Sequence, residues 1–162
     1  MRRHETRSNA RWPAFCGAAA LLLSPVAHGT VTSCTVSAGA LGFGTYDPTL
    51  PAVLTSTGTI DITCTVTSHS NPLSIALSAG SGTYTARTMM SGASKLGYNL
   101  YLDAAHTQVW GDGTGGSVLD NTTIVRHAGV AALTATVYGL LPALQDVAPG
   151  TYTDTITVTV SF

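Results

Sequence analysis

An all-β sandwich is the fold class this sequence predicts, on three observations. Short runs of period-two alternation recur along the chain, rich in Thr, Val, Ile, Leu and Tyr. Gly- and Pro-containing breaks separate these runs at regular spacing, which favours a sandwich over a closed barrel, and no amphipathic helix pattern of useful length lies between them. Charged residues make up only 9% of the chain, against 17 glycines, a composition that fits strands and turns.

The first 29 residues read as an export signal and are set apart from the fold. Arg2, Arg3, Arg7 and Arg11 form a basic region, "AFCGAAALLL" (14–23) a short apolar core, and Ala27 and Gly29 an A-x-G match to a signal-peptidase site. The apolar stretch is about half of the roughly 20 residues that a membrane span needs, so cleavage is predicted in preference to anchoring. The predicted mature chain, residues 30–162, is the size of one domain, with no membrane span in it and enough length to bury roughly two-thirds of its unfolded surface.

Taken in order, "CTVSAGALGFGTYDP" (34–48) opens as a short strand that Gly39, Gly42 and Gly44 interrupt. "GTIDITCTV" (58–66) puts Ile60, Ile62, Cys64 and Val66 on one face and Thr59, Asp61, Thr63 and Thr65 on the other, so Cys64 points inward. After the turn "SHSNP", "LSIALSAG" (73–80) carries Leu73, Ile75, Leu77 and Ala79 in phase. "GTYTARTMM" (82–90) is less regular, and "KLGYNLYLD" (95–103) alternates again through Leu96, Tyr98, Leu100 and Leu102. "GDGTGGSVLDNT" (111–122) reads as a loop, and "ALTATVYGLL" (132–141) as a strand with Leu133, Ala135, Val137 and Gly139 in phase.

"PALQDVAPG" then turns the chain into "GTYTDTITVTVSF" (150–162), the strongest strand signal of all. Tyr152, Asp154, Ile156, Val158, Val160 and Phe162 alternate there with Thr153, Thr155, Thr157, Thr159 and Ser161. Two arrangements suit so apolar a final strand. It lies centrally between two strands of its own chain, or it presents a free edge to a strand from another chain, since an unpaired apolar edge is a template for strand addition.

The residues argue against several function classes. Beyond residue 29 the charges are Arg87, Lys95 and Arg126 against seven Asp, a balance of −4 with no basic patch, which disfavours nucleic acid and anionic membrane surfaces. No G-x-S-x-G, H-E-x-x-H or Gly-rich strand-to-helix loop is present, so an enzyme is not predicted. Cys34, Cys64, His69, His106 and His127 lack short metal-ligand spacing, and Asp112 alone supplies too few oxygens for calcium, so neither metal nor cofactor is expected. Cys34 and Cys64 are instead read as a disulfide of an oxidising compartment, worth about 3 to 4 kcal/mol for a loop of about 30 residues. Trp110 and Tyr101 fit a core or rim; a sugar-binding platform is the alternative use of such aromatics.

These residues also carry a family resemblance. "CTV" (34–36), "LGFGTYDP" (41–48), "GTIDITCTV" (58–66), "LGYNLYLD" (96–103), "VWGDG" (109–113), "VYGLLPA" (137–143) and "GTYTDTITVTVSF" (150–162) together resemble the spore coat protein U domain, the family that includes subunits of archaic (Csu-type) chaperone-usher pili. The pieces span nearly the whole predicted mature chain in the expected order.

The resemblance implies an incomplete immunoglobulin-like β-sandwich completed by a donor strand from another chain. A periplasmic chaperone lends that strand first, and the N-terminal extension of a neighbouring subunit replaces it at the outer-membrane usher. It further implies that Tyr152 to Phe162 form one wall of the groove, with Tyr152, Ile156, Val158, Val160 and Phe162 as its residues, and that Cys34 and Cys64 are the family's cysteine pair. The function expected is a non-enzymatic structural subunit of a cell-surface pilus or coat. The alternatives are an envelope or spore-coat protein that forms no fibre and a self-sufficient secreted carbohydrate-binding sandwich. One departure stands out. Only "TVTS" separates the predicted cleavage site from Cys34, and four extended residues reach about 14 Å at most, so this chain is expected to accept a strand more readily than to donate one.

Overall fold

The computed structural model of the chain describes residues 31–162, so the predicted export signal and its cleavage site lie outside the described residues. Eight strands form two sheets: β1 (Val31–Ala38), β2 (Leu54–Val66), β3 (Ser70–Leu77), β4 (Arg87–Ser91), β5 (Ser94–Tyr101), β6 (Asp120–Val125), β7 (Val130–Leu141) and β8 (Val158–Ser161). One sheet has five strands in the order β1-β2-β7-β5-β4, the other three in the order β6-β3-β8, and every pairing is antiparallel. The architecture is an all-β, immunoglobulin-like sandwich, with no helix among the described residues.

The alternation in the sequence becomes the core. On β2, Ile60, Ile62, Cys64 and Val66 are no more than 3% exposed, while Thr59, Asp61, Thr63 and Thr65 between them face solvent. Asp61 stands opposite Thr134 of β7 and accepts a hydrogen bond from its Oγ1 at 2.6 Å, a cross-strand polar pair on the outer face. Leu73, Ile75 and Leu77 of β3 meet Leu96, Tyr98 and Leu100 of β5 and Ala135, Val137 and Leu141 of β7 in the same buried cluster. Each large aliphatic so buried contributes about 1.5 to 3 kcal/mol, and a one-residue slip of register would turn a whole face outward.

Cys34 lies opposite Cys64 in the β1–β2 register, and the two form a disulfide across a Cα separation of 4.0 Å. It fastens β1, which pairs with β2 alone, to a strand held on both sides. Replacing both cysteines by serine should cost about 3 to 4 kcal/mol and lower the melting temperature by on the order of 10 °C. Calorimetry of the exported protein checks this, and an unchanged melting temperature would show that β1 is held without the bridge.

Three elements differ from the sequence expectation. β3 starts at Ser70, so Asn71 and Pro72 of the expected turn belong to the strand and pair with Ile124 and Thr123. The stretch expected as loop through residue 122 enters β6 at Asp120; only Ile124 of β6 is fully buried, so its alternation is too sparse to read, and pairing with β3 makes it a strand. The final segment keeps its alternating burial from Tyr152 to Val160, but regular pairing is confined to β8. Thr153 bridges to Met90 of β4 in one sheet, whereas Val158 pairs with Leu77 of β3 in the other. A segment that changes sheets midway stays extended without forming one continuous ladder.

Between β6 and β7 the chain crosses from the smaller sheet to the larger through a tight turn. His127 and Val130 exchange two backbone hydrogen bonds, and Ala128 and Gly129 take φ of 53° and 90°. Left-handed backbone at both central positions is the geometry of a two-residue hairpin loop.

Candidate functional site

The sandwich is open along one side. There a cleft of about 540 Å³ runs between the chain leaving β1, Ala38 to Leu41 with Phe43, and the final segment, Tyr152 to Ile156 with Val158. Its floor is the core itself, with Ile60 of β2, Leu77 of β3, Leu100 of β5 and Val137 of β7 reaching it from both sheets. β8 hydrogen-bonds to β3 on one side only, so its other edge carries backbone donors and acceptors without a strand partner among the described residues.

The first wall is built from "LGFG" and two facing glycines. Leu41 packs 3.5 Å from where a Cβ on Gly58 would stand. A Cβ on Gly139 of β7 would come within 2.9 Å of both Leu41 Cδ2 and Phe43 Cζ, so the absence of a side chain there lets these residues settle onto the sheet. Phe43 meets Tyr98 edge to face at 6.0 Å, and Ser56 Oγ donates to Gly42 O at 2.8 Å. Further along, Gln145 N donates to Tyr46 Oη at 2.6 Å, and the Gln145 amide pairs with both backbone groups of Gly97 on β5.

The second wall is hung from both sheets. Met90 N donates to Thr153 O at 2.8 Å and Thr153 N to Met90 O at 3.1 Å, while Ser78 N donates to Thr157 O at 2.9 Å and Thr157 N to Ser78 Oγ at 2.9 Å. Between these anchors Asp154 accepts from Ser81 N, Ser81 Oγ and Thr155 N on Oδ1, and from Tyr98 Oη on Oδ2 at 2.7 Å. Burial, and next the bond to Asp154, push the Tyr98 phenol well above its ordinary pKa.

Of the residues expected on the wall, Tyr152, Ile156 and Val158 line the cleft and are half-buried. Val160 faces Ile75 in the β3–β8 register, also half-buried, outside the cleft lining. Phe162 follows the end of β8 and is 60% exposed. Cys34 and Cys64 are joined to each other and are therefore not available as thiolate ligands. Among the described residues no three His, Cys, Asp or Glu side chains converge on a metal position.

Trp110 corrects one alternative. It is fully buried, with Nε1 donating to Ile75 O at 2.9 Å, so it offers no platform to a sugar. Tyr101 is half-buried with its ring edge-on to His106 at 5.2 Å. Beside Trp110 lies a group that sequence reasoning counted only as a charge. Arg87 is 0% exposed and donates to Ser78 O through Nε and Nη2, to Trp110 O through Nη2, and to Asn99 Oδ1 through Nη1. Its guanidinium also lies over the Tyr84 ring, 5.6 Å from the centroid.

Known proteins resemble this chain in sequence and in fold. The Spore Coat Protein U domain matches residues 20–159. "Protein U" of Myxococcus xanthus is 32% identical over 151 residues, covering 80% of this chain and 78% of that protein. Among solved structures, the crystal structure of the CsuC–CsuE chaperone–tip adhesion subunit pre-assembly complex, from archaic chaperone-usher Csu pili of Acinetobacter baumannii, contains a chain of similar fold. The TM-score is 0.51 at 21% identity, over 80% of this chain and 39% of that one. This chain thus spans well under half the length of that structural relative.

Proposed function

The chain belongs to the Spore Coat Protein U domain family, and on that premise we propose that it is an exported structural subunit of a cell-surface pilus or coat, assembled by donor-strand complementation. A periplasmic chaperone fills the cleft first, and a segment of a neighbouring subunit takes its place at the outer-membrane usher.

The observation that carries this reading is the cleft itself. Its lining is more apolar than polar, it reaches the core between the two sheets, and it runs along Tyr152 to Ile156 up to Val158, the first residue of β8. A strand laid along that segment gains main-chain hydrogen bonds, while its alternate side chains enter the cleft. Tyr152, Ile156 and Val158, half-exposed in the free chain, become buried when it does. The lining holds no acid–base pair, since its one carboxylate, Asp154, is engaged by Tyr98, Ser81 and Thr155; an enzyme is not proposed.

Val31 and Ser33 pair with Val66 and Thr65 in the chain's own β1–β2 ladder. Any segment this subunit lends to a neighbour must therefore precede them, and N-terminal sequencing of the exported protein decides whether one is present. A coat without fibres is the second reading, suggested by the description of the matching family as the Spore Coat Protein U domain. Electron microscopy of the producing cell separates filaments from a continuous layer.

The direct test uses the purified 30–162 chain and an alternating apolar peptide of 10 to 12 residues. At a hundredfold its Kd the peptide should stabilise the chain by about 2.7 kcal/mol, raising the melting temperature by roughly 10 °C. A high melting temperature that no such peptide or chaperone moves would overturn the reading.

A further inference from the structure

One side chain on the wall of the cleft is out of keeping with the rest. Asp154 lies in phase with Tyr152, Ile156 and Val158, and it is the single formally charged residue among those lining the cleft. Its hydrogen bonds come from neutral groups: Ser81 N at 3.0 Å, Ser81 Oγ at 2.9 Å, Thr155 N at 2.9 Å and Tyr98 Oη at 2.7 Å. Oδ1 takes three of these, whereas Oδ2 takes only the tyrosine and keeps unused acceptor capacity, on the side away from Gly80, against which it packs. The N–H groups of the buried Arg87 are directed to Ser78 O, Trp110 O and Asn99 Oδ1, and no hydrogen bond from it reaches Asp154.

While the cleft is open, Asp154 stays half-exposed to solvent. A strand seated in the cleft removes that exposure, and a carboxylate desolvated without a counter-charge is costly. Every other lining residue asks for an apolar or neutral neighbour. The chain's own cations do not answer the need, because Arg87 is fully buried and Lys95 and Arg126 are exposed outside the lining.

Resting on the strand-docking reading above, we propose that the strand this cleft receives is an alternating apolar segment bearing one lysine or arginine, at the inward position that comes over Asp154. The pair then does two things. It keeps the carboxylate paired in a site without water, and it marks the register. A slip of two residues would carry the cation over Tyr152 or Ile156 and leave Asp154 alone, so sliding along the otherwise uniform apolar wall is penalised.

The test scans a single lysine through each inward position of an 11-residue alternating apolar peptide and compares each with norleucine at the same place, measuring Kd for the 30–162 chain by fluorescence anisotropy. One position should bind about tenfold more tightly with lysine than with norleucine, and the gain should shrink at high salt. Asp154→Asn should abolish the difference between the lysine and norleucine peptides at that position, since the variant has no carboxylate left to pair or to desolvate. Should that variant fold poorly, the lysine–norleucine comparison and its salt dependence on the unaltered chain still decide the matter. If norleucine binds as well as lysine everywhere, the cation is not wanted and the proposal falls, with strand docking intact. If no peptide binds, strand docking fails and takes this proposal with it.

Discussion

Val158→Asp leaves the isolated chain folded and abolishes strand docking. Val158 is half-buried in the free protein, where it pairs with Leu77 across β3–β8 and lines the cleft, so an aspartate there keeps contact with water while the cleft is open. Seating a strand removes that water and leaves a carboxylate facing apolar side chains with no designated partner. Desolvation of an unpaired charge costs several kcal/mol, and each 1.4 kcal/mol is tenfold in affinity, so docking should weaken by about a thousandfold or more. Thr159→Asp is the matched control, because Thr159 points to solvent from the opposite face of β8. Circular dichroism with peptide binding separates the two effects, and in cells the Val158 variant should accumulate without appearing in surface assemblies. Assembly that survives Val158→Asp would mean that the donor does not run along this wall. Val160→Asp is a less clean probe, since Val160 lies outside the cleft lining and a loss of docking there would not report on the cleft itself.

What was legible in the sequence follows from how each residue is held. β2, β3, β5 and β7 lie over the core with every second side chain buried, so Ile60, Ile62, Leu73, Ile75, Leu96, Leu100 and Val137 announce themselves by period alone. The final segment announces its faces equally well, yet the same period conceals that Thr153 and Val158 pair into different sheets. Alternation reports which side of an extended backbone is buried and carries no information about the neighbouring strand.

The first wall of the cleft was not readable residue by residue. Leu41 and Phe43 lie outside any regular strand, and their position depends on the open space at Gly58 and Gly139, set by long-range packing. Asp154 shares the phase of the apolar wall but drew no separate reading, and its partners Tyr98 and Ser81 are 56 and 73 residues away. Arg87 gave no signal at all. An arginine in "TARTMM" is normally a solvated cation, and only the convergence of Ser78 O, Trp110 O and Asn99 Oδ1 makes it an interior residue.

Arg87→Met should therefore be among the most destabilising single changes. Methionine fills much of the volume but donates nothing, and it leaves Ser78 O, Trp110 O and the Asn99 side chain short of the partner they now have. Two effects oppose each other. Removing a buried guanidinium, whose pKa burial pushes down, relieves a desolvation penalty. Against that, two buried acceptors, Trp110 O and Asn99 Oδ1, lose their charged donor at about 1 to 3 kcal/mol each, and the part-buried Ser78 O loses it at a smaller cost. The second effect wins because only one side of the network is replaced, and a net loss of about 3 kcal/mol, or roughly 10 °C, is expected. Arg87→Lys should recover little, since a single ammonium cannot reproduce the fork that spans the three acceptors. The consequence extends to the cleft. Ser78, which Arg87 holds by its carbonyl, is the residue whose N–H and hydroxyl tether Thr157 and with it the wall formed by Ile156 and Val158. The Met variant should accordingly bind an apolar donor peptide more weakly even at temperatures where it is fully folded. A variant as stable as the parent would show that the larger cost lay in burying the cation. A destabilised variant that keeps the parent's peptide affinity would show that the wall is positioned without it.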